Sequence, residues 1–237
     1  MAEEVRMADS EKRGAQGRRP IVGCLVGDKY HDGDAMRETL GAVFDAIDVQ
    51  PVFFPDPMRV PWDDLDQFAV LCVARCGSFH DGDPEWNTEK REQRIERFVH
   101  RGGGLLALHA GLANYEWDRP YVRTVRGRFL FHPAEHPEFS VSPRRSARSD
   151  GENVAAPFEL AELTIRDEMY FVRVDVEHTT VLMDATHPQY GRTAAAWAHP
   201  HGQGKVVAYT PGHTDAVLKN AGFRRTVGSA VRWLCAR

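Results

Sequence analysis

Short apolar runs, separated by polar or glycine-rich breaks, dominate the first half of this chain. Ile21 to Val26, Val49 to Phe54, Phe68 to Ala74 and Leu105 to Leu108 are each almost unbroken in apolar residues. That is the pattern of strands covered on both faces. Between them the period changes: Met36, Leu40, Val43, Phe44 and Ile47 recur at helical spacing, so Ala35 to Ile47 is predicted as a helix, with Asp34 placed to cap it. Thr88 to His100 is heavily charged and keeps one narrow stripe, Ile95, Phe98 and Val99, as a solvent-facing helix does. The order β-α-β-β-α-β with right-handed crossovers predicts an α/β fold built on an open, mainly parallel, doubly wound sheet.

The second half is less regular. Residues 115 to 138 are rich in aromatics and proline, with His132-Pro133 and His136-Pro137 pairs that hold the backbone extended, and read as a long loop. Ser140 to Pro157 has almost no large apolar residue and reads as a loop or flexible insertion. Phe158 to Ile165 alternates weakly, and Phe171, Val172, Val174 and Val176 form another extended run. Thr180 to Met183, Ala194 to His199 and Lys205 to Tyr209 read as short strands; Gly202 and Gly204 turn the last two into a small β-hairpin addition. Phe223 to Cys235 is a closing amphipathic helix. Residues 1 to 19 mix charges with small residues and read as a disordered leader, leaving 20 to 237 as one α/β domain.

Composition narrows the function. At 237 residues, 42% hydrophobic and 27% charged, the chain has the balance of a globular protein. Its net charge of -4 argues against nucleic acid as a partner. No apolar run reaches the roughly 18 residues of a membrane span, so no membrane association and a cytoplasmic location are expected. The four cysteines lack disulfide-scaffold spacing and read as reduced thiols, and Cys72/Cys76 is a lone CxxxC, a poor zinc signature. A homodimer is expected only from the frequency of symmetric pairs.

Chemistry is placed by strand ends, because open parallel sheets bind ligands beyond the carboxyl ends of their strands. His109 closes the run GGGLLAL, and His213 follows KVVAYTPG in the same way. His31 lies in the loop after the first strand. Each can equally be a core or loop histidine satisfying a carbonyl, and Glu168 can pair with Arg166 or Arg173. In an extended segment neighbouring side chains face opposite ways, so Tyr170 can share the side of Glu168 while Asp167 cannot. The glycines at 102 to 104 precede their strand and so form no dinucleotide loop, and neither GxxxxGK[ST] nor GxSxG occurs. No nucleotide cofactor is expected.

Four segments taken together, YHDGDAMRETL, GGGLLALHAG, DEMYF with VLMDATHP, and GQGKVVAYTPGHTD with VGSAVRWL, resemble the trehalose-utilisation (ThuA-like) family over about residues 20 to 235. The resemblance implies a fold similar to flavodoxin and class I glutamine amidotransferases, and a role in the metabolism of a disaccharide, glycoside or keto-sugar derivative. Where an amidotransferase carries its nucleophilic cysteine this chain has His109, so no glutaminase activity is expected. Cys76 is the only conceivable substitute, and no His-Glu dyad is spaced to activate it.

The hypothesis is that His31, His109, Glu168 and His213 gather at one sheet edge. His109, Glu168 and His213 are the candidate catalytic residues and the candidate ligands of a divalent metal such as zinc. Without a metal, Glu168 as base and a histidine as acid could carry general acid/base catalysis. His31, Tyr170, His132 and His80 are the candidate contacts to a sugar-like small molecule, with His136 behind them. His100, His178, His187, His199 and His201 read as surface or turn residues. The competing reading is a non-catalytic sugar-binding or partner-binding protein that keeps the fold.

Overall fold

The computed structural model describes residues 19–77, 85–144 and 156–236. His80, residues 1–18 of the expected leader and residues 145–155 of the expected insertion lie outside them.

The expected strands and helices of the first half form, with small shifts at their ends. They are β1 (Ile21–Val26), α1 (Gly33–Asp45), β2 (Gln50–Phe54), β3 (Val70–Ala74), α2 (Glu89–His100) and β4 (Gly104–Leu108). Helix α1 starts earlier than its apolar period indicates, and its cap is Asp32, not Asp34. Asp32 accepts from the backbone N–H groups of Asp34 and Ala35, while Asp34 sits inside the first turn.

The aromatic stretch after β4 is not one loop. It contains α3 (Pro120–Val125), opened by a proline in its first turn and closed by Arg126 in the left-handed region, then β5 (Gly127–Phe131). Tyr121, Val122 and Val125 are buried, which makes a helix of a segment whose sequence lacks helical period. Ser140 begins no insertion: β6 (Glu138–Pro143) runs through it. The remaining elements are β7 (Leu163–Arg166), β8 (Phe171–Val174), β9 (Thr180–His187), β10 (Gly191–His201), β11 (Gly204–Tyr209), α4 (Asp215–Leu218) and α5 (Ala221–Cys235).

The main sheet has nine strands in the order β2-β1-β3-β4-β11-β10-β9-β6-β7. The pairs from β2 through β11 are parallel; those from β11 through β7 are antiparallel. The hairpin expected from WAHPHGQGKVVAY forms, and its second strand is the parallel neighbour of β4. A separate two-stranded sheet joins β5 and β8.

Helices cover both faces of the parallel half, which explains the unbroken apolar runs. Leu106 and Leu108 pack toward the side of Leu40, Phe44, Phe223 and Val227, whereas Leu105 and Ala107 pack toward Ile95, Phe98 and Val99. Each fully buried leucine contributes roughly 1.5–3 kcal/mol. The connection β1-α1-β2 thus lies on one face and β3-α2-β4 on the other. The crevice between the carboxyl ends of β1 and β3 is the switch point at which such sheets bind ligands. Among the described residues no helix is long and apolar enough to cross a membrane.

Candidate functional site

Three of the five parallel strands deliver a histidine to this edge. β1 leads through a tight turn to His31, β4 ends at His109, and β11 leads to His213. Glu168 arrives from the antiparallel half, between β7 and β8. Donor atoms of all four residues lie within 4.8 Å of one another. The expected gathering of His31, His109, Glu168 and His213 is therefore present.

The turn at His109 is unusual. Its φ is +41°, a left-handed conformation that costs a residue with a Cβ. The chain leaves β4 so sharply that a Cβ on Gly111 would collide with the carbonyl oxygen of Val73. A strained strand-end turn of this kind exposes the nucleophile in hydrolases; here it presents an imidazole. Tyr170 stacks on that ring at 4.3 Å between centroids, and Phe129 lies 4.3 Å from Tyr170, so the His109 ring is held in place.

Hydrogen bonds orient two of the imidazoles. His109 Nδ1 donates to the carbonyl of Thr210 at 2.7 Å, and His31 Nδ1 donates to Asp28 Oδ1 at 2.7 Å. Each leaves Nε2 as the nitrogen turned to the cluster. Asp28 is fixed in turn by the N–H groups of Tyr30 and Cys76, both at 2.9 Å. Burial alone would raise its pKa, but the hydrogen bond and charge of His31 outweigh burial and hold it well below the usual carboxylate range. A carboxylate behind a histidine is the usual support of a metal ligand.

Asp167, adjacent to Glu168 in the bend after β7, does not join the donor group. Fully buried, it accepts from the backbone N–H groups of Gly212 at 2.8 Å and of His213 and Thr214 at 3.1 and 2.9 Å. It clamps the turn that carries His213. Neither Asp28 nor Asp167 stands out in the sequence, although the spacing of Asp28 three residues before His31 is a usable signal.

Glu168 divides its two oxygens. Oε2 lies 3.4 Å from His109 Nε2 and 3.3 Å from His213 Nδ1; Oε1 lies 3.4 Å from His132 Nε2 and 3.8 Å from His136 Nε2. Burial opposes its charge, yet His109, His213 and His132 bring its pKa down to about 2. His213 is shifted below its ordinary value by burial, against the pull of Glu168. His31 Nε2, His109 Nε2 and His213 Nδ1 are buried without a hydrogen-bond partner among the described residues.

Above the cluster opens a cavity of about 440 Å³, lined by Tyr30, His31, Cys76, Asn114, Phe129, His132, Glu168, Tyr170 and His213. Of the expected ligand contacts, His31, His132 and Tyr170 are on its wall. Burial and the Asp28 carboxylate push the Cys76 thiol far up, so it is no thiolate nucleophile. His199, expected at the surface, is buried on β10, away from this edge. A larger groove of about 870 Å³ beside Trp117 and Arg173 contributes to no group of three candidate metal donors among the described residues.

Comparison with known proteins follows the same lines. A family model described as ThuA, trehalose utilisation, matches residues 45–234, a span that includes His109, Glu168 and His213 and begins after His31. The fold is similar to a ThuA-like protein from Bacteroides uniformis ATCC 8492, at 15% identity over 93% of this chain and 92% of that one, with a TM-score of 0.67. A ThuA-like protein from Parabacteroides merdae ATCC 43184 is similar at 14% identity, 92% and 90% coverage and a TM-score of 0.67. A β-galactosidase from Rahnella sp. R3 shares the fold over 92% of this chain but 32% of its own length, at 12% identity and a TM-score of 0.57. A comparison with curated proteins finds no match. With most of its length matched by that family model, the chain belongs to the ThuA, or trehalose-utilisation, family.

Proposed function

We propose that this protein is an enzyme of sugar metabolism that acts on a disaccharide, glycoside or keto-sugar derivative through a divalent-cation centre built from His109, Glu168 and His213, with His31 beside them. The observation that carries the reading is the trio of buried imidazole nitrogens that lack a hydrogen-bond partner among the described residues, grouped around one carboxylate. Each unsatisfied buried polar atom costs about 1–3 kcal/mol, and one cation would satisfy all three. Imidazole and carboxylate are donors that zinc and its first-row neighbours accept.

A cation bound here supplies Lewis acidity toward a carbonyl or hydroxyl oxygen and lowers the pKa of a bound water. The protein's own groups supply orientation and proton transfer. Asp28 and the Thr210 carbonyl hold His31 and His109 in the tautomers that present Nε2. His132, on the cavity wall with Nδ1 engaged by the Pro133 carbonyl at 2.6 Å, keeps Nε2 toward Glu168, where it can pass a proton to or from a ligand. Tyr170 and Phe129 give an apolar wall for the face of a sugar ring.

Elemental analysis of the purified protein, beside a His109→Ala/His213→Ala double variant, tests the centre. Near-stoichiometric zinc, manganese or nickel in the first and none in the second is expected. No metal in either after incubation with these ions would overturn it and leave metal-free acid/base catalysis or simple sugar binding.

A further inference from the structure

We infer that the centre is six-coordinate rather than tetrahedral, and that its ligand is a sugar derivative presenting two neighbouring oxygens to a single ion. This rests on the reading that the cluster binds a cation, and it follows from counting donors against open space. His31 belongs to the donor set. Its Nδ1 is committed to Asp28, and Asp28 is tied to two backbone N–H groups, so the ring has no freedom to turn its Nε2 away from His109 and His213. Ring centroids 5.0 and 5.2 Å from those of His109 and His213 set it in their company.

Four protein donors saturate a tetrahedral ion, and sites so filled are structural and closed. This one is not closed. The Glu168 and His213 side chains keep 12% and 20% of their surface, and the cluster forms the floor of the 440 Å³ cavity. Four donors together with an open mouth fit a first-row ion that takes six ligands, such as manganese, iron, cobalt or nickel. Two positions then remain. His31, Glu168 and His213 line that cavity while His109 lies buried beneath them, so the remaining positions face the open side. Oxygens on adjacent carbons fill such a pair by closing a five-membered chelate ring. The cavity is of the size that encloses a small molecule, with Asn114 and His132 on its wall for the remaining hydroxyls.

Cobalt provides the test, because its visible absorption is weak when six-coordinate and intense when tetrahedral. The metal-stripped protein is loaded with Co²⁺ and titrated with acetohydroxamate, which offers two adjacent oxygens, and with acetate, an anion of similar size. Weak bands are expected, perturbed by acetohydroxamate at a concentration about tenfold or more below that of acetate, since its second oxygen binds intramolecularly. His31→Ala is expected to weaken cobalt binding and change the spectrum. Intense tetrahedral bands in the unaltered protein, equal responses to the two anions, or a His31→Ala protein with unchanged cobalt affinity and spectrum would each overturn the inference. The first two readouts need no variant. Failure of the unaltered protein to take up cobalt at all would be a different result: it would remove the cation reading itself.

Discussion

His109 at the end of β4 and His199 within β10 are alike in almost every local respect. Both are buried, both use one ring nitrogen on a backbone carbonyl, Thr210 for the first and Thr124 for the second, and both leave the other nitrogen without a hydrogen-bond partner among the described residues. What separates them is what the free nitrogen meets. His109 Nε2 faces Glu168 and two further imidazoles below an open cavity, whereas His199 joins no group of candidate metal donors. Burial, helped by the charges of Arg126 and His201, pulls His199 down to a pKa of about 4 and keeps it neutral, with the Thr124 carbonyl only partly opposing this. A buried, half-satisfied histidine is therefore not in itself a functional sign; a shared carboxylate and access for a ligand are.

The strongest way to break this contrast is Glu168→Gln, which keeps the shape and removes the charge. Cation affinity, measured by calorimetry, is expected to fall by more than about 100-fold, beyond the 10–100-fold typical of losing a supporting group. His199→Gln is expected to leave it unchanged. Equal effects of the two substitutions would erase the distinction.

Acid should act on the other member of the pair. The folded-state pKa of His199 is depressed to about 4 from an ordinary 6.5. The unfolded chain therefore binds the proton first as pH drops. The stability tied to neutral His199 is full above pH 6.5 and is lost as pH falls through 4, by roughly 3 kcal/mol. Urea unfolding at pH 7 and pH 4 should show a loss smaller by about that amount in His199→Gln; an identical loss would remove this residue from the account.

The smallest expected effect concerns the helix beside His31. Asp32→Ala removes two hydrogen bonds to free N–H groups and should cost about 1 kcal/mol in thermal unfolding, whereas Asp34→Ala should cost a few tenths. The reverse order would put the cap where the apolar period alone places it.

The parallel half was legible because burial on both faces leaves a continuous apolar run, and such a run announces where it stops. His109 and His213 stand at those stops. Helix α3 and strand β5 were not legible, since Tyr121, Val122 and Val125 are buried by contacts distant in sequence rather than by a period of their own. The cap of α1 was misplaced by two residues because Asp32 and Asp34 offer the same chemistry. Asp167 was hidden for a different reason: its partners are backbone N–H groups of residues 212 to 214, which carry no side-chain signature. His199 was misread as a surface or turn residue because it flanks Pro200 in a hairpin, whereas its carbonyl partner Thr124 lies far away in the sequence.

The four candidate donors come from residues 31, 109, 168 and 213, on segments far apart along the chain. An ion held by all of them acts as a four-way cross-link, closing loops whose entropy the denatured chain would otherwise retain. Such a clasp would close fully only once β1, β3, β4 and β11 are assembled in the sheet. Chelators would then loosen the sheet edge before they unfold the protein, and the cation would serve as a gauge of assembly as well as a reagent.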